Sequence, residues 1–151
     1  MKKITQKKLE VFLRKHKLWL INEPGGKRAD LREADLREAK NFNIHINCPE
    51  KGSFTAFKKA SDYIVELRIP EEARRCSATS RKCRCDMADV ISITNLDGSD
   101  SNLVSVSSSG DRSFIYTVGQ RVSVDNFDTN RWNECAPGIH FFITRQEAVD
   151  Y

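Results

Sequence analysis

Residues 131–151 read RWNECAPGIHFFITRQEAVDY, and this closing stretch decides the fold. Pro137-Gly138 predicts a turn, after which Ile139, Phe141 and Ile143 recur with the period of a half-buried strand. The stretch ITRQE then has Thr and Glu at the spacing of a capping box, so a short helix is predicted over residues 145–151.

The same stretch predicts a binding position. His140 lies on the strand face opposite Ile139 and Phe141, and the strand leads directly into the predicted helix start. Backbone N–H groups and the helix dipole at such a start favour an anion. The pattern indicates the sign of a ligand but does not identify it.

Composition excludes several classes of protein. The 25 basic and 21 acidic residues give a net charge of only +4, with most of the excess near the N-terminus, which argues against a nucleic-acid-binding protein. No segment has the roughly 20 apolar residues that span a bilayer, so we expect a soluble, cytoplasmic protein without membrane contact. The 5 cysteines lack the spacing of a disulfide framework and fit a reducing compartment.

The chain opens with a predicted amphipathic helix. Thr5 is placed to cap it, and Ile4 and Leu9 have the spacing of a hydrophobic staple. Its polar face is rich in lysine, which is typical of the solvated side of a packed helix and also of helices that lie on membranes or nucleic acid. The sequence EPGG at residues 23–26 ends the helix.

An exact repeat follows the helix. Residues 29–33 and 34–38 both read ADLRE. The repeat resembles the pentapeptide-repeat family, whose units wind a right-handed β-helix. Two such units cannot form a stable core alone. The resemblance therefore implies a rudimentary β-helix stub that needs support from the preceding helix. A helix over residues 28–40 is the alternative, because Ala, Leu, Arg and Glu are good helix formers.

The remainder of the chain has short apolar alternations separated by turn residues, which predicts a β-rich domain. Strands are predicted at residues 42–46, 63–69, 90–93, 103–106, 114–118 and 122–124. We therefore predict an α+β fold, with an N-terminal helix and stub in residues 1–47 and a β-rich domain in residues 48–151.

Residues 74–85 form the most cationic segment of the chain and are predicted to be a loop. Arg81, Lys82 and Arg84 lie among Ser, Thr and Cys residues, with no acidic residue in the segment. Guanidinium groups beside hydroxyls suit a phosphate or carboxylate ligand. The alternative is a solvated loop whose charges offset nearby acidic residues.

The cysteines suggest two further hypotheses. Cys76, Cys83, Cys85, Cys135 and His140 include the residue types of a zinc site, but the spacing lacks a second paired knuckle, so we expect no metal. Cys135 and His140 are also the residue types of a nucleophile and its base. No third group that would orient them is evident.

A broader resemblance covers residues 61–151. The motifs RKCR at 81–84, YTVG at 116–119, WNEC at 132–135, GIHFF at 138–142 and EA at 147–148 resemble a domain of unknown function. That domain follows short pentapeptide repeats in proteins of bacteriophages and prophages. The resemblance implies a phage context, and small phage proteins often bind a host component, including nucleotide signals of antiviral defence.

A second resemblance suggests an enzyme. GIHFF and the following EAVDY are similar to a strand and helix of ADP-ribosyltransferases, with His140 at the position of a tyrosine that stacks on nicotinamide. The family's preceding His-Gly strand has no counterpart here, and no catalytic-glutamate strand follows. The resemblance therefore implies a nucleotide-shaped cleft more than turnover.

These observations predict a phage-associated binding protein, with no catalytic residue and no cofactor. Its ligand is expected to be an anionic, nucleotide-like small molecule or a host protein, and a homo-oligomer is compatible with the sequence. The alternatives are an ADP-ribosyltransferase-like enzyme and an interaction module without a small ligand. The predicted ligand-binding residues are Arg81, Lys82, Arg84, Trp132, His140, Phe142 and Arg145.

Overall fold

A computed structural model describes residues 2–31, 34–35, 46–78 and 80–151. The chain divides into two compact units, Met1–His45 and Ile46–Tyr151. A helix, a β-rich body of several sheets and a short C-terminal helix confirm the predicted α+β class. Neither described helix has the length and apolar character needed to cross a bilayer.

The first unit contains helix α1 (Gln6–Leu20) and two short strands, β1 (Lys2–Lys3) and β2 (Ala34–Asp35), which pair in parallel. Thr5 caps the helix as predicted, because its side chain accepts a hydrogen bond from the Lys8 N–H at 3.4 Å. Most of the repeat at residues 28–40, and most of the strand predicted at 42–46, lie outside the described residues.

The second unit is built on a four-stranded antiparallel sheet in the order β10-β7-β4-β3. The strand predicted at residues 63–69 is confirmed as β4, and those predicted at 90–93 and 122–124 correspond to β7 and β10. Strand β3 was not predicted. The sheet consists of β3 (Phe54–Ala60), β4 (Tyr63–Ile69), β7 (Met87–Asn95) and β10 (Arg121–Ser123).

A three-stranded antiparallel sheet, in the order β11-β6-β5, corrects the expectation of a loop at residues 74–85. The basic segment is a hairpin instead, because its cysteines are small apolar residues that fill the core while its strands pair with each other and with the C-terminal strand. The strands are β5 (Arg75–Ser77), β6 (Cys83–Cys85) and β11 (Ile139–Phe141).

Two further elements complete the second unit. Strands β8 (Ser105–Ser107) and β9 (Ile115–Thr117) pair as an antiparallel hairpin, shorter than the strands predicted there, and Leu103 and Val104 are exposed outside it. Helix α2 (Arg145–Asp150) follows β11 as predicted, and both hydrogen bonds of the Thr144–Glu147 capping box are present. The closing stretch therefore folds as its sequence indicates.

Two apolar clusters cover the two faces of the four-stranded sheet. The larger contains Ala56, Val65 and Leu67 together with Cys83, Cys85 and Phe141 from the three-stranded sheet. The smaller places Ile64 against Phe142 and Ala148, so that α2 lies on the opposite face. Residues of one face alternate along β3 and β4 with residues of the other, as the period of a strand requires.

Candidate functional site

The second unit contains a cleft of about 540 Å³. Strand β3, the hairpin β8–β9, the turn before β11 and the C-terminal residue contribute its walls. The lining combines amines, hydroxyls and aromatic rings: Lys58, Lys59, Ser61, Ser108, Ser109, Gly110, Asp111, Phe114, Tyr116, Val124, Asn126, Pro137, Gly138, Ile139, His140 and Tyr151. Polar groups that converge in a partly apolar cleft of this size are typical of small-molecule sites.

Lys58 occupies an unusual position in this lining. It lies on β3 between Ala56 and Ala60, both fully buried, in the row that faces the larger core, and it is paired across the sheet with Val65. Its amine lies 5.9 Å from the centre of the Tyr116 ring. Lys58 is half-buried, and an apolar residue would be the ordinary choice in this row, because a lysine is rarely taken out of water without an ionic partner.

The surroundings of Lys58 disfavour its charged form. Burial, followed by the positive charge of Lys82, lowers the pKa of Lys58 from 10.5 to about 8, although Cys85 opposes this shift. Among the residues that the structure describes, no carboxylate forms an ion pair with the amine. Asp111, the acidic side chain in the lining, accepts hydrogen bonds from the N–H and hydroxyl of Ser113 instead.

Lys82 is 8% exposed and contacts Tyr151, a residue of the cleft lining. Its Nζ donates a hydrogen bond to the Tyr151 hydroxyl at 3.1 Å and to Cys135 Sγ at 3.5 Å. Burial alone would lower the pKa of Lys82, but the contacts with Tyr151 and Cys135 raise it overall. Lys82 therefore keeps its charge, and it holds the Tyr151 side chain at the edge of the cleft.

His140 lines the cleft as a neutral imidazole. Burial lowers its pKa to about 4, and Lys82, Lys58 and Arg84 add to this effect while the hydrogen bond to Ala136 opposes it. The Nε2 atom lies 3.1 Å from the Ala136 carbonyl oxygen, so Nε2 carries the proton and Nδ1 is left as an acceptor. His140 therefore offers the cleft a polar group without charge.

Arg84 and Arg145, two of the predicted ligand-binding residues, are engaged by backbone carbonyls. Arg84 lies opposite His140 in the sheet but is 2% exposed, and its guanidinium lies over the Phe127 ring. Arg145 Nη2 donates to the Asn95 carbonyl at 2.6 Å. The carbonyls that Arg84 reaches, at 2.9–3.1 Å, belong to Asp128, Asn130 and Pro137.

The other predicted residues lie outside the cleft lining. Arg81 pairs with Glu147 at 2.5 Å, and the Phe142 ring packs in the smaller core, 5.0 Å from the ring of Tyr151. The Trp132 ring lies 4.9 Å from the Arg131 guanidinium. Of the predicted residues, the structure thus places His140 in the cleft lining and Lys82 against the lining residue Tyr151, and it distributes the others around the unit.

The cysteines do not form a metal cluster in the described part of the chain, where no group of three or more His, Cys, Asp or Glu side chains could hold an ion. Cys48, Cys76, Cys83 and Cys85 are buried free thiols, and only Cys135 is exposed. Burial raises the pKa of Cys76 and Cys85, which disfavours their thiolates. Cys135 contacts Lys82, whereas the His140 Nε2 bonds to Ala136.

Sequence reasoning missed Lys58, Lys59, Tyr116 and the serines of the 108–109 turn. A signal for Lys58 exists in the sequence FTAFKKA of β3, where a lysine interrupts a row of small and aromatic residues. That interruption hides the alternation by which a strand is recognised. Once the strand is known, the same lysine is recognised as a charged residue at a position that faces the larger core.

Comparison with known proteins gives a family without an activity. No curated protein and no solved structure matches the chain. A family of unknown function, DUF5758, matches residues 44–148, a range that includes nearly all of the second unit and the cleft lining up to His140. The chain belongs to the DUF5758 family of unknown function.

Proposed function

We propose that the second unit binds an anionic, nucleotide-like small molecule in the cleft beside Lys58. The observation that carries this proposal is the Lys58 amine, which faces a cleft and forms no ion pair with a carboxylate among the described residues. A protonated amine held in such surroundings lacks the counter-charge that would offset its lost hydration. An anionic ligand would supply it.

An anion bound to Lys58 would gain affinity from a charged hydrogen bond. Hydrogen bonds to charged groups contribute about 1.5–3 kcal/mol each, which is about 10- to 150-fold in affinity. A bound phosphate or carboxylate would raise the pKa of Lys58 back towards its ordinary value, because an opposite charge favours the charged form. Ligand binding at neutral pH should therefore be accompanied by proton uptake at Lys58.

The rest of the lining suits the other part of a nucleotide. Phe114 and Tyr151 present aromatic rings to the same cleft, and aromatic faces stack on planar bases. Ser108 and Ser109 place hydroxyls and a turn backbone at its rim. A cation beside aromatic rings and hydroxyls matches a ligand with a phosphate, a ring and a sugar.

The phage or prophage context belongs to this proposal as well. It is supported by the resemblance of the ADLRE repeat to pentapeptide repeats and of the C-terminal motifs to the domain that follows such repeats. In that context, a protein that binds a nucleotide without consuming it would lower the free concentration of a host signal. The host-protein partner predicted from the sequence stays a separate prediction.

The test is isothermal titration calorimetry of the full chain against mononucleotides, cyclic nucleotides and a nicotinamide dinucleotide, preceded by native mass spectrometry for a retained ligand. Lys58→Met keeps the side-chain length and should weaken binding about 10- to 100-fold. Lys51→Met is the matched control, because Lys51 is exposed and lies outside the cleft. Equal affinity in the two variants, or no binding of any nucleotide, would reject the proposal.

A further inference from the structure

The amines at the cleft differ in what they contact. Lys59 Nζ donates to the Val149 carbonyl at 3.1 Å, and Lys82 Nζ bonds to Tyr151 and Cys135. In the described part of the chain, Lys58 Nζ has the Tyr116 ring as its contact and neither donates nor accepts a side-chain hydrogen bond. Lys58 therefore presents the cleft amine whose nitrogen is least occupied by the protein.

The groups that face Lys58 favour an amine over an ammonium ion. Lys82 contributes positive charge from the hairpin β5–β6, His140 on β11 is neutral, and Tyr116 on β9 packs against the amine. Burial raises the pKa of Cys85 on β6, so this residue is a neutral thiol near pH 7 and supplies no counter-charge. With its pKa near 8, about a tenth of Lys58 is neutral at pH 7, several hundred times the fraction of an ordinary lysine.

An amine with these properties is a nucleophile. Lysines that form imines with carbonyl substrates are activated by desolvation or by a neighbouring cation, and Lys58 has both. We propose that Lys58 captures an aldehyde or ketone that also carries an anionic group, and holds it as an imine in the cleft. This inference rests on the proposed function, because the same cleft must first bind the anionic part of the compound.

The chemistry balances without an oxidant or a reductant. The Lys58 nitrogen lone pair attacks the carbonyl carbon, forming a C–N bond, and the carbonyl oxygen becomes the hydroxyl of a carbinolamine. Loss of this hydroxyl with one proton from solvent releases water, and the nitrogen gives up its remaining proton to leave a neutral imine. The net reaction is amine plus carbonyl giving imine plus water, and hydrolysis reverses it.

The test uses pyridoxal 5′-phosphate as a probe, since it combines an aldehyde with a phosphate. The folded full chain is incubated with the probe and sodium cyanoborohydride, which reduces the imine to a stable secondary amine, and labelled lysines are located by peptide mass spectrometry. Lys58 should be labelled about tenfold faster than the exposed Lys51 at pH 7. Its labelling rate should level off above about pH 8, whereas the rate at Lys51 should continue to rise.

Two variants and a second probe decide the outcome. Lys58→Arg keeps a positive charge but has no nucleophilic amine, so the reduced adduct at this position should disappear and the total labelling of the chain should fall accordingly. Pyridoxal, which lacks the phosphate, should show about tenfold less preference for Lys58 over Lys51 than pyridoxal 5′-phosphate does if the cleft holds the anion. Using this ratio cancels the lower content of free aldehyde in pyridoxal, which forms an internal hemiacetal. Labelling of Lys58 and Lys51 at equal rates would overturn the imine proposal.

The two proposals fail in different ways. Binding of mononucleotides that depends on Lys58, without selective labelling by either aldehyde, would leave the anion site intact and reject the nucleophile. An equal preference of both aldehydes for Lys58 over Lys51 would support a reactive amine but reject its guidance by an anion site. The calorimetry then tests the proposed function separately. Lys51→Arg controls for the effect of removing one amine and should change neither result.

Discussion

Two cations of the second unit, the buried Arg84 on β6 and the half-buried Lys58 on β3, have opposite surroundings. Arg84 donates to the carbonyls of Asp128, Asn130 and Pro137 and lies over the Phe127 ring, so its charge is fully partnered by the protein. Lys58 lies in an apolar row beside a cleft without an ion-pair partner among the described residues. The difference teaches that a buried charge indicates a ligand only when its partners are missing.

The largest loss of stability is expected from removing the guanidinium of Arg84. Replacing Arg84 with Met should lower the free energy of unfolding by about 3–5 kcal/mol, because the buried carbonyls of residues 128, 130 and 137 lose their donors. Chemical denaturation monitored by circular dichroism measures the change. A loss below about 1 kcal/mol, as is usual for a surface arginine, would contradict the structural role.

The same exchange at Lys58 should have the opposite sign. Lys58→Met replaces a charge in an apolar row with an apolar side chain of similar length, so we expect a gain of about 1–3 kcal/mol at pH 7 together with loss of nucleotide binding. Denaturation and calorimetry of one preparation give both quantities. Lys51→Met should leave both within about 0.5 kcal/mol of the unchanged protein.

The pH dependence sharpens this second contrast. Because the pKa of Lys58 falls from 10.5 to about 8 on folding, the unfolded chain binds more protons between these values and stability from this group rises with pH there. The loss of stability caused by the charge on Lys58 is therefore complete below about pH 8 and disappears towards pH 10. The gain from Lys58→Met should therefore shrink over this interval, and a gain independent of pH would show that charge burial is not its cause.

A smaller effect on stability is expected at helix α2, whose first turn is held by the capping box of Thr144 and Glu147. Thr144→Ala removes the hydroxyl that accepts from the Glu147 N–H at 3.3 Å, and should cost about 1 kcal/mol. Thermal unfolding measures this loss. Thr144→Ser, which keeps the hydroxyl, is the control and should restore most of the stability.

The smallest effect is expected at Glu147, where one substitution distinguishes a structural carboxylate from a catalytic one. Glu147 bonds to Arg81 and to the Thr144 N–H. Glu147→Gln keeps the capping geometry and loses only a partly exposed ion pair, so it should cost about 0.5 kcal/mol or less. Nucleotide binding should be unchanged. Any ADP-ribosyl transfer by the unchanged protein that this variant abolishes would instead favour the enzyme alternative.

Several elements were predictable because their determinants are local. The spacing of Thr144 and Glu147 specifies a helix start, and Thr5 specifies another. The alternation over Tyr63–Ile69 requires only that one face be more apolar than the other. Strand β3 is not predictable from alternation because Lys58 interrupts its apolar row. The basic hairpin is not predictable because a dense run of charge ordinarily indicates an exposed loop.

The candidate site was less predictable, for a physical reason. Arg84 looked like a ligand contact because a guanidinium has several donors, but the carbonyls that use them lie 44–53 residues away along the chain. His140, predicted from the sequence, lines the cleft, and Lys82, also predicted, contacts the lining residue Tyr151, whereas Lys58 and Tyr116 come from segments with no common motif. Proximity between distant segments is not encoded in spacing.

The sequence by itself determined the fold class, the two helix starts and three of the four strands of the larger sheet, because periodicity and capping act over a few residues. The tertiary structure alone decided which cations are partnered and which face a cleft, since that depends on carbonyls, rings and charges brought together from distant strands. Arg84 and Lys58 are both basic residues on short strands. Only their folded surroundings distinguish a charge that backbone carbonyls partner from one that faces a cleft.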